Sequence, residues 1–229
     1  AKKMNEIKNY LPYIRKALQD APNKVDPPTD GALRHRGLDT SKIHSMGLNE
    51  SFFPPSPKAI QAMRDNLNAV NLYPDAQCPH LTDIISERTG VNRNCIVWGN
   101  GSEELLKGSI DLSLSPGQGL VLPVPTFWGY KAMVAAFEAD VAEIPNLSDG
   151  KIDIDGVHAA IDDNTKIVFL ITPNNPSGSM IEENDLKRAI NGVPSDVLLC
   201  VDEAYYDYGI HAGGPDVLSI LKKREGPWI

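Results

Sequence analysis

Cysteine is scarce in this chain: three in 229 residues, Cys78, Cys95 and Cys200, far apart and with no C-x-x-C pair. That spacing assembles neither a disulfide framework nor a thiolate zinc site, so no metal is expected and a reducing, cytoplasmic home is the simpler reading. Positive charge is also in deficit. Against 30 acidic residues stand 22 Lys and Arg, a net charge of −8, and no long basic run offsets it. Nucleic acid and anionic membrane surfaces are thereby excluded as main partners. Long hydrophobic runs are missing as well, none approaching the roughly 20 apolar residues of a membrane span. The start, Ala1-Lys-Lys-Met4, leads into a polar amphipathic stretch and lacks the apolar segment of a secretory signal. No internal repeat or low-complexity segment is present.

What remains is a soluble globular composition, 41% hydrophobic, long enough for one large domain and an appendage. Ile7, Leu11, Ile14 and Leu18 recur at spacings of three and four, which predicts a helix over 4–18. Residues 21–37, with their prolines and glycines, read as an extended arm, and Ser51–Pro57 as a second extended piece. Helices are expected over 58–67 and 81–88, separated by Pro74. The organisation expected is an N-terminal helix and arm over 1–50 and a large domain over 51–229.

From about Cys95 the rhythm changes. Short apolar runs (96–98, 120–122, 167–171, 197–201) alternate with helical stretches (103–114, 130–138, 183–190), each run bounded by Gly, Pro, Asn or Asp. This predicts an α/β fold: a mainly parallel sheet covered by helices on both faces, a three-layer sandwich. In such sheets ligands sit outside the carboxyl ends of the strands, so the residues after each run are the candidate site.

Four such loops stand out. Gly99-Asn-Gly-Ser-Glu-Glu104 offers glycines and free N–H groups at a helix start, a cradle for phosphate or simply a helix capped by Ser102 or Asn100. It is neither a dinucleotide fingerprint, since Glu104 replaces the third glycine, nor a P-loop. Pro123–Tyr130 presents Phe127 and Trp128, which can stack on a flat ring or cap the core. Thr172–Gly178 is a stiff turn that either aims an Asn amide at a ligand or is an ordinary Asn/Pro/Gly turn. Asp202-Glu-Ala-Tyr205 follows a buried run, where a carboxylate needs a cation, a helix cap or a structural Arg.

Taken in order, these pieces resemble the fold type I pyridoxal-phosphate-dependent aminotransferases, and within them the histidinol-phosphate aminotransferase group. The matching segments are Leu48-Asn-Glu50 with Pro55-Ser-Pro-Lys58, Leu72-Tyr-Pro-Asp75, Gly101-Ser-Glu-Glu104, Pro125-Thr-Phe127, Asn174-Asn-Pro-Ser-Gly178 and Asp202-Glu-Ala-Tyr205. The likeness runs from about Gly37 to the last residue.

The resemblance implies pyridoxal 5'-phosphate as cofactor, with its phosphate on the N–H groups of Ser102 and Glu103. Phe127, where the family often has Tyr or Trp, stacks on the ring, with Trp128 the neighbouring alternative in register. Asn175 and Tyr205 bond the phenolic oxygen, and Asp202 pairs with the pyridinium nitrogen. A carboxylate there keeps the ring protonated and able to accept electrons. Asp202 and Tyr205 are the catalytic candidates. The tyrosine matching Tyr73 reaches the partner subunit's cofactor, which implies a homodimer, and Asn49 and Glu50 border the substrate.

Ser51-Phe-Phe-Pro54 departs from the family's Asn-Pro-x-Gly continuation, which leaves the substrate open. Relatives place the Schiff-base lysine in a Ser-Lys pair, and none of Lys107, Lys131, Lys166, Lys187, Lys222 or Lys223 has that context. The expectation is that this lysine and the small C-terminal domain lie beyond Ile229. The activity implied is transamination between an amino acid or amine, such as histidinol phosphate, and a 2-oxo acid. The rivals are a decarboxylase of a phosphorylated amino acid using the same cofactor, and a non-catalytic regulatory module that keeps the fold.

Overall fold

A computed structural model describes residues 11–19, 29–44 and 46–229. Contacts group the chain into two units, one of Ala1–Asn23 with Val97–Ile229 and one of Lys24–Ile96.

The larger unit is built on four parallel strands, β1 (Gly119–Val124), β2 (Asp140–Pro145), β3 (Thr165–Ile171) and β4 (Leu198–Asp202), in the order β2-β1-β3-β4. β1, β3 and β4 are nearly continuous apolar runs because both faces of the sheet are covered. β2 alternates Asp140, Val141, Ala142, Glu143 and Ile144 and lies at an edge, where charge discourages further pairing. On the opposite edge Pro227–Ile229 runs alongside β4: the Leu199 N–H donates to the Pro227 carbonyl at 3.1 Å and Val201 N–H to that of Ile229 at 2.9 Å.

Side-chain parity sorts the core into two clusters. Leu120, Leu122, Ile167, Phe169, Ile171, Leu198 and Cys200 face one side. There they meet Leu106 and Ile110 of α5 (Ser102–Ser113) and Tyr130, Met133 and Val134 of α6 (Gly129–Ala135). Val121, Val168, Leu170 and Leu199 face the other side. Their partners are α7 (Ile154–Ala159), α8 (Glu183–Gly192) and α10 (Val217–Leu221). In α8 the buried residues are Leu186, Ala189 and Ile190, spaced to form one stripe. Two further helices of this unit are α9 (Tyr206–His211), which follows β4, and α1 (Lys16–Gln19), which precedes the sheet. The expected three-layer α/β sandwich is thus the observed one.

Among its described residues the unit Lys24–Ile96 holds three α-helices, α2 (Asp30–His35), α3 (Pro57–Asp65) and α4 (Pro79–Thr89). Ser56 caps α3 by accepting from the Ala59 N–H at 3.1 Å, with Pro57 at the first helical position. Among the described residues no helix is long and apolar enough to cross a membrane.

Three expectations need correction. The helix over 4–18 falls partly on residues 1–10, outside the described residues; from 11 onward there is only a 3-10 turn, Leu11–Tyr13, and the four-residue α1. Pro12 lacks the N–H that a continuous helix needs at that point. The arm over 21–37 contains α2, because Thr29 accepts from the Ala32 N–H at 3.3 Å and caps a helix start; residues 21–28 lie outside the described residues. Ile96–Trp98 is no strand: Ile96 is extended, but the segment pairs with none of the described strands, and Val97 is 74% exposed.

Candidate active site

The order β2-β1-β3-β4 fixes where a ligand can sit. From β1 the chain winds outward to β2, and from β3 it winds the other way to β4. The carboxyl ends of β1 and β3, where the winding reverses, therefore mark the crevice in which sheets of this order take ligands. Residues 125–128 and 172–178 are the loops that leave them.

Asn174 ties them together. Its amide accepts from Thr126 Oγ1 at 2.9 Å and donates to the Pro125 carbonyl at 3.0 Å and Ser177 Oγ at 3.0 Å. Its backbone bonds Ser179 and Gly178, and the residue is 3% exposed. Asn174 is spent on scaffolding, and its neighbour Asn175, half-buried, is the one left to face the crevice. The Asn175 Nδ2 donates to the Tyr205 hydroxyl at 3.4 Å, bringing the end of β3 and the turn after β4 to one point.

Asp202 closes β4. Being two residues on from Cys200, it points to the α5 and α6 side of the sheet. Only 8% exposed, it accepts from the Tyr130 hydroxyl through Oδ2 at 2.8 Å and from the Ala204 N–H through Oδ1 at 2.9 Å. Among the described residues no Lys, Arg or His pairs with it. A buried carboxylate held by two neutral donors and no cation is a site that calls for a cationic ligand.

On the same face of the sheet, α5 begins at Gly101, whose φ of +79° and ψ of 174° suit glycine alone. No side chain caps this start, and Asn100 instead donates its N–H to Glu104 Oε2. The expectation that Ser102 or Asn100 caps the helix is corrected accordingly. The first N–H groups of a twelve-residue helix, those of Ser102 and Glu103, are left open, an arrangement suited to an anion.

Phe127 is half-buried and Trp128 exposed, their ring centroids 5.1 Å apart. The Phe127 ring folds over Gly129, where a Cβ would come within 2.3 Å of it. Tyr130 follows, fully buried, edge-on to Phe169 at 5.0 Å and to Phe127 at 6.4 Å. Burial first, then the charge of Asp202, raises the Tyr130 hydroxyl well above its ordinary pKa, so it remains a neutral donor. Cys200, two residues before Asp202, is pushed up to about 12 by burial and is no nucleophile.

Of the residues singled out from sequence, Asp202, Tyr205, Asn175, Phe127, Ser102 and Glu103 all belong to the larger unit. Tyr73, 99% exposed, and Asn49, exposed with φ +54°, belong to Lys24–Ile96. Sequence reasoning passed over Tyr130 and Thr126, and picked the Asn pair without separating scaffold from site. The aromatic at the start of a helix was the only available sign of Tyr130.

A doubly wound sheet with an anion-ready helix start, a half-buried aromatic and a buried acid defines a cofactor-binding α/β protein. Residues 41–228 match the model of the aminotransferase class I and II family, and the chain belongs to that family. It is 32% identical over 213 residues to histidinol-phosphate aminotransferase 2 of Carboxydothermus hydrogenoformans, covering 92% of this chain and 58% of that one. To the histidinol-phosphate aminotransferase of Geobacillus thermodenitrificans it is 34% identical over 185 residues, 81% of this chain and 50% of the relative. Among solved structures, that of histidinol-phosphate aminotransferase from Sinorhizobium meliloti in complex with pyridoxal-5'-phosphate aligns with a TM-score of 0.74 and 25% identity, over 85% of this chain and 51% of that chain. The chain spans about half the length of the curated relatives it matches.

Proposed function

We propose that this chain forms the cofactor-binding part of a pyridoxal-phosphate-dependent aminotransferase of the histidinol-phosphate type. Its substrates would be a phosphorylated amino compound and a 2-oxo acid. The observation that carries the reading is Asp202, a buried carboxylate at a strand end with both oxygens on neutral donors and no cation beside it. A protonated pyridine nitrogen is a cation of the right kind, flat enough for a crevice walled by an aromatic ring.

The other donors suit the rest of the cofactor. The open N–H groups of Ser102 and Glu103 would hold its phosphate with the helix dipole behind them. Asn175 and Tyr205, already in contact, would offer an amide N–H and a hydroxyl to its phenolic oxygen. Phe127 would cover one ring face. Bound in this way, pyridoxal phosphate supplies an electron sink for a carbanion at the substrate α-carbon. The chain's own contribution is positioning. Asp202 retains the proton on the ring nitrogen, Asn175 and Tyr205 set the charge on the phenolic oxygen, and the stiff loops around Asn174 fix both relative to the sheet.

The same proposal includes the finer points: histidine biosynthesis as the setting, the cytoplasm as location, and a homodimer in which Tyr73 serves the partner subunit's site. It also includes Asn49 bordering the substrate, and the division into an arm over 1–50 and a large domain over 51–229. The relatives' names support the first of these, and the others rest on the resemblance of the sequence to the family. In the test, whole-length protein and its Asp202→Ala variant are given pyridoxal phosphate, histidinol phosphate and a 2-oxo acid, and keto-product is followed. Turnover should fall at least about 100-fold in the variant, as expected for truncating one side of a buried charge pair. Normal turnover by Asp202→Ala, or release of carbon dioxide in place of keto-product, would overturn the reading.

A further inference from the structure

Tyr130 is a wholly buried phenol whose hydroxyl does not cap a helix, bridge a loop or reach solvent. It spends its one proton on Asp202, 72 positions away in sequence. We propose that Tyr130 is a positioning residue of the cofactor site, acting through Asp202 to fix the plane in which that carboxylate meets a ring nitrogen. This rests on the reading of Asp202 given above.

The geometry supports more than casual contact. A carboxylate at a strand end can rotate about its Cβ–Cγ bond. Here each oxygen is engaged from a different direction, Oδ1 by the Ala204 N–H from the turn after β4 and Oδ2 by Tyr130 from α6. Two donors on two oxygens define the carboxyl plane and leave on each oxygen a lone pair for a third partner. The phenol itself is immobile, seated edge-on against Phe169 with ring centroids 5.0 Å apart. Tyr130 also belongs to the turn that folds Phe127 over Gly129, so the residue that would cover the ring and the one that would orient the acid are three positions apart on one rigid segment. Burial, and then the neighbouring acid, hold the phenol neutral, so Tyr130 keeps the proton that it donates to Asp202.

A buried tyrosine often finds a hydroxyl partner for reasons of stability alone, and the experiment must separate that case. Tyr130→Phe keeps the ring packing and removes only the donor; Asp202→Asn keeps the shape and removes the charge. Dissociation constants for pyridoxal phosphate, read by quenching of tryptophan fluorescence, are measured for both single variants, the double variant and the native protein, with thermal unfolding alongside. Tyr130→Phe should weaken binding about tenfold with Asp202 present, the size of one charge-assisted hydrogen bond, and should change nothing further when Asp202 is already Asn. An equal loss in both backgrounds, or no loss in either, would overturn the role of Tyr130. If Asp202→Asn alone bound as tightly as the native protein, the reading of the site itself would fall. A site-specific fluorotyrosine at position 130 serves should Tyr130→Phe not fold: strengthening the phenol as a donor should move the dissociation constant with Asp202 present and leave it unmoved in Asp202→Asn.

Discussion

Asp202 and Glu203 are adjacent acids with different surroundings. Asp202 ends a strand and is held by two donors, whereas Glu203 opens on a cleft lined by Thr172, Pro173, Met180, Tyr206 and Gly209. Burial, and then the negative charges of Asp216 and Asp202, raises Glu203 from 4.5 to about 7. A carboxyl whose pKa is raised in the folded state takes up its proton there more readily than in the unfolded chain. The stability it contributes is complete below about pH 4.5 and is lost as pH climbs through 7. Glu203→Gln mimics the protonated form at every pH. The variant should therefore melt at a higher temperature than the native protein at pH 8 and at nearly the same temperature at pH 5. A difference in melting temperature that is the same at both pH values would show that Glu203 does not titrate in this window.

Elements differ in how much of their role their own residues announce. β1, β3 and β4 were legible because strands covered on both faces must be apolar at every position. The edge strand β2 was not, since its Asp140 and Glu143 belong there only once the sheet order is known. α9 and α10, of six and five residues, are too short to show a helical period, and their caps are decided by neighbours. At the site, Asn175 and Tyr205 could be placed in strand-end loops from sequence, but the pairing of Tyr130 with Asp202 depends on how α6 packs on the sheet and leaves no mark in either segment.

Arg224 is another case of an element held from a distance. Its Nη1 donates to the carbonyls of Ile190 at 3.0 Å and Val193 at 2.8 Å, and its Nη2 to those of Pro194 at 2.7 Å and Val197 at 3.1 Å. One guanidinium thus gathers four carbonyls at the end of α8 and in the loop that leads into β4, of which that of Pro194 also accepts from the Val197 N–H. Arg224→Met retains much of the stem and removes all four bonds. It should lower the unfolding free energy by about 2–4 kcal/mol, measured by urea titration, because buried carbonyls lose their donors. A change below about 0.5 kcal/mol, the size usual for a surface substitution, would mean that water replaces the arginine at no cost.

At the scale of the whole molecule, the two units have different surfaces. The sheet unit buries its apolar residues in two clusters, whereas Lys24–Ile96 has one buried hydrophobic residue, Leu33, among those described. In the same unit Phe52, Phe53, Val70 and Tyr73 are 76%, 86%, 77% and 99% exposed, with Met46, Met63, Leu67 and Leu72 also open. Apolar residues exposed in such number over one stretch are what a contact surface carries. The proposed occupant is a second copy of the chain, with Tyr73 carried toward the partner's site. A closed two-fold pair would use the same surface on both sides. Whole-length protein should run as a dimer in light scattering across the concentrations used for assay. On the proposed reading, Tyr73→Ala should weaken binding of pyridoxal phosphate while leaving the dimer intact, since a single side chain would be a small part of such an interface but a direct contact in the site. Phe53→Asp, placing a charge where apolar surface is to be covered, should instead shift the protein toward monomer and lower turnover with it. A monomer with full turnover would show that each chain completes its own site and that the exposed aromatics serve some other contact.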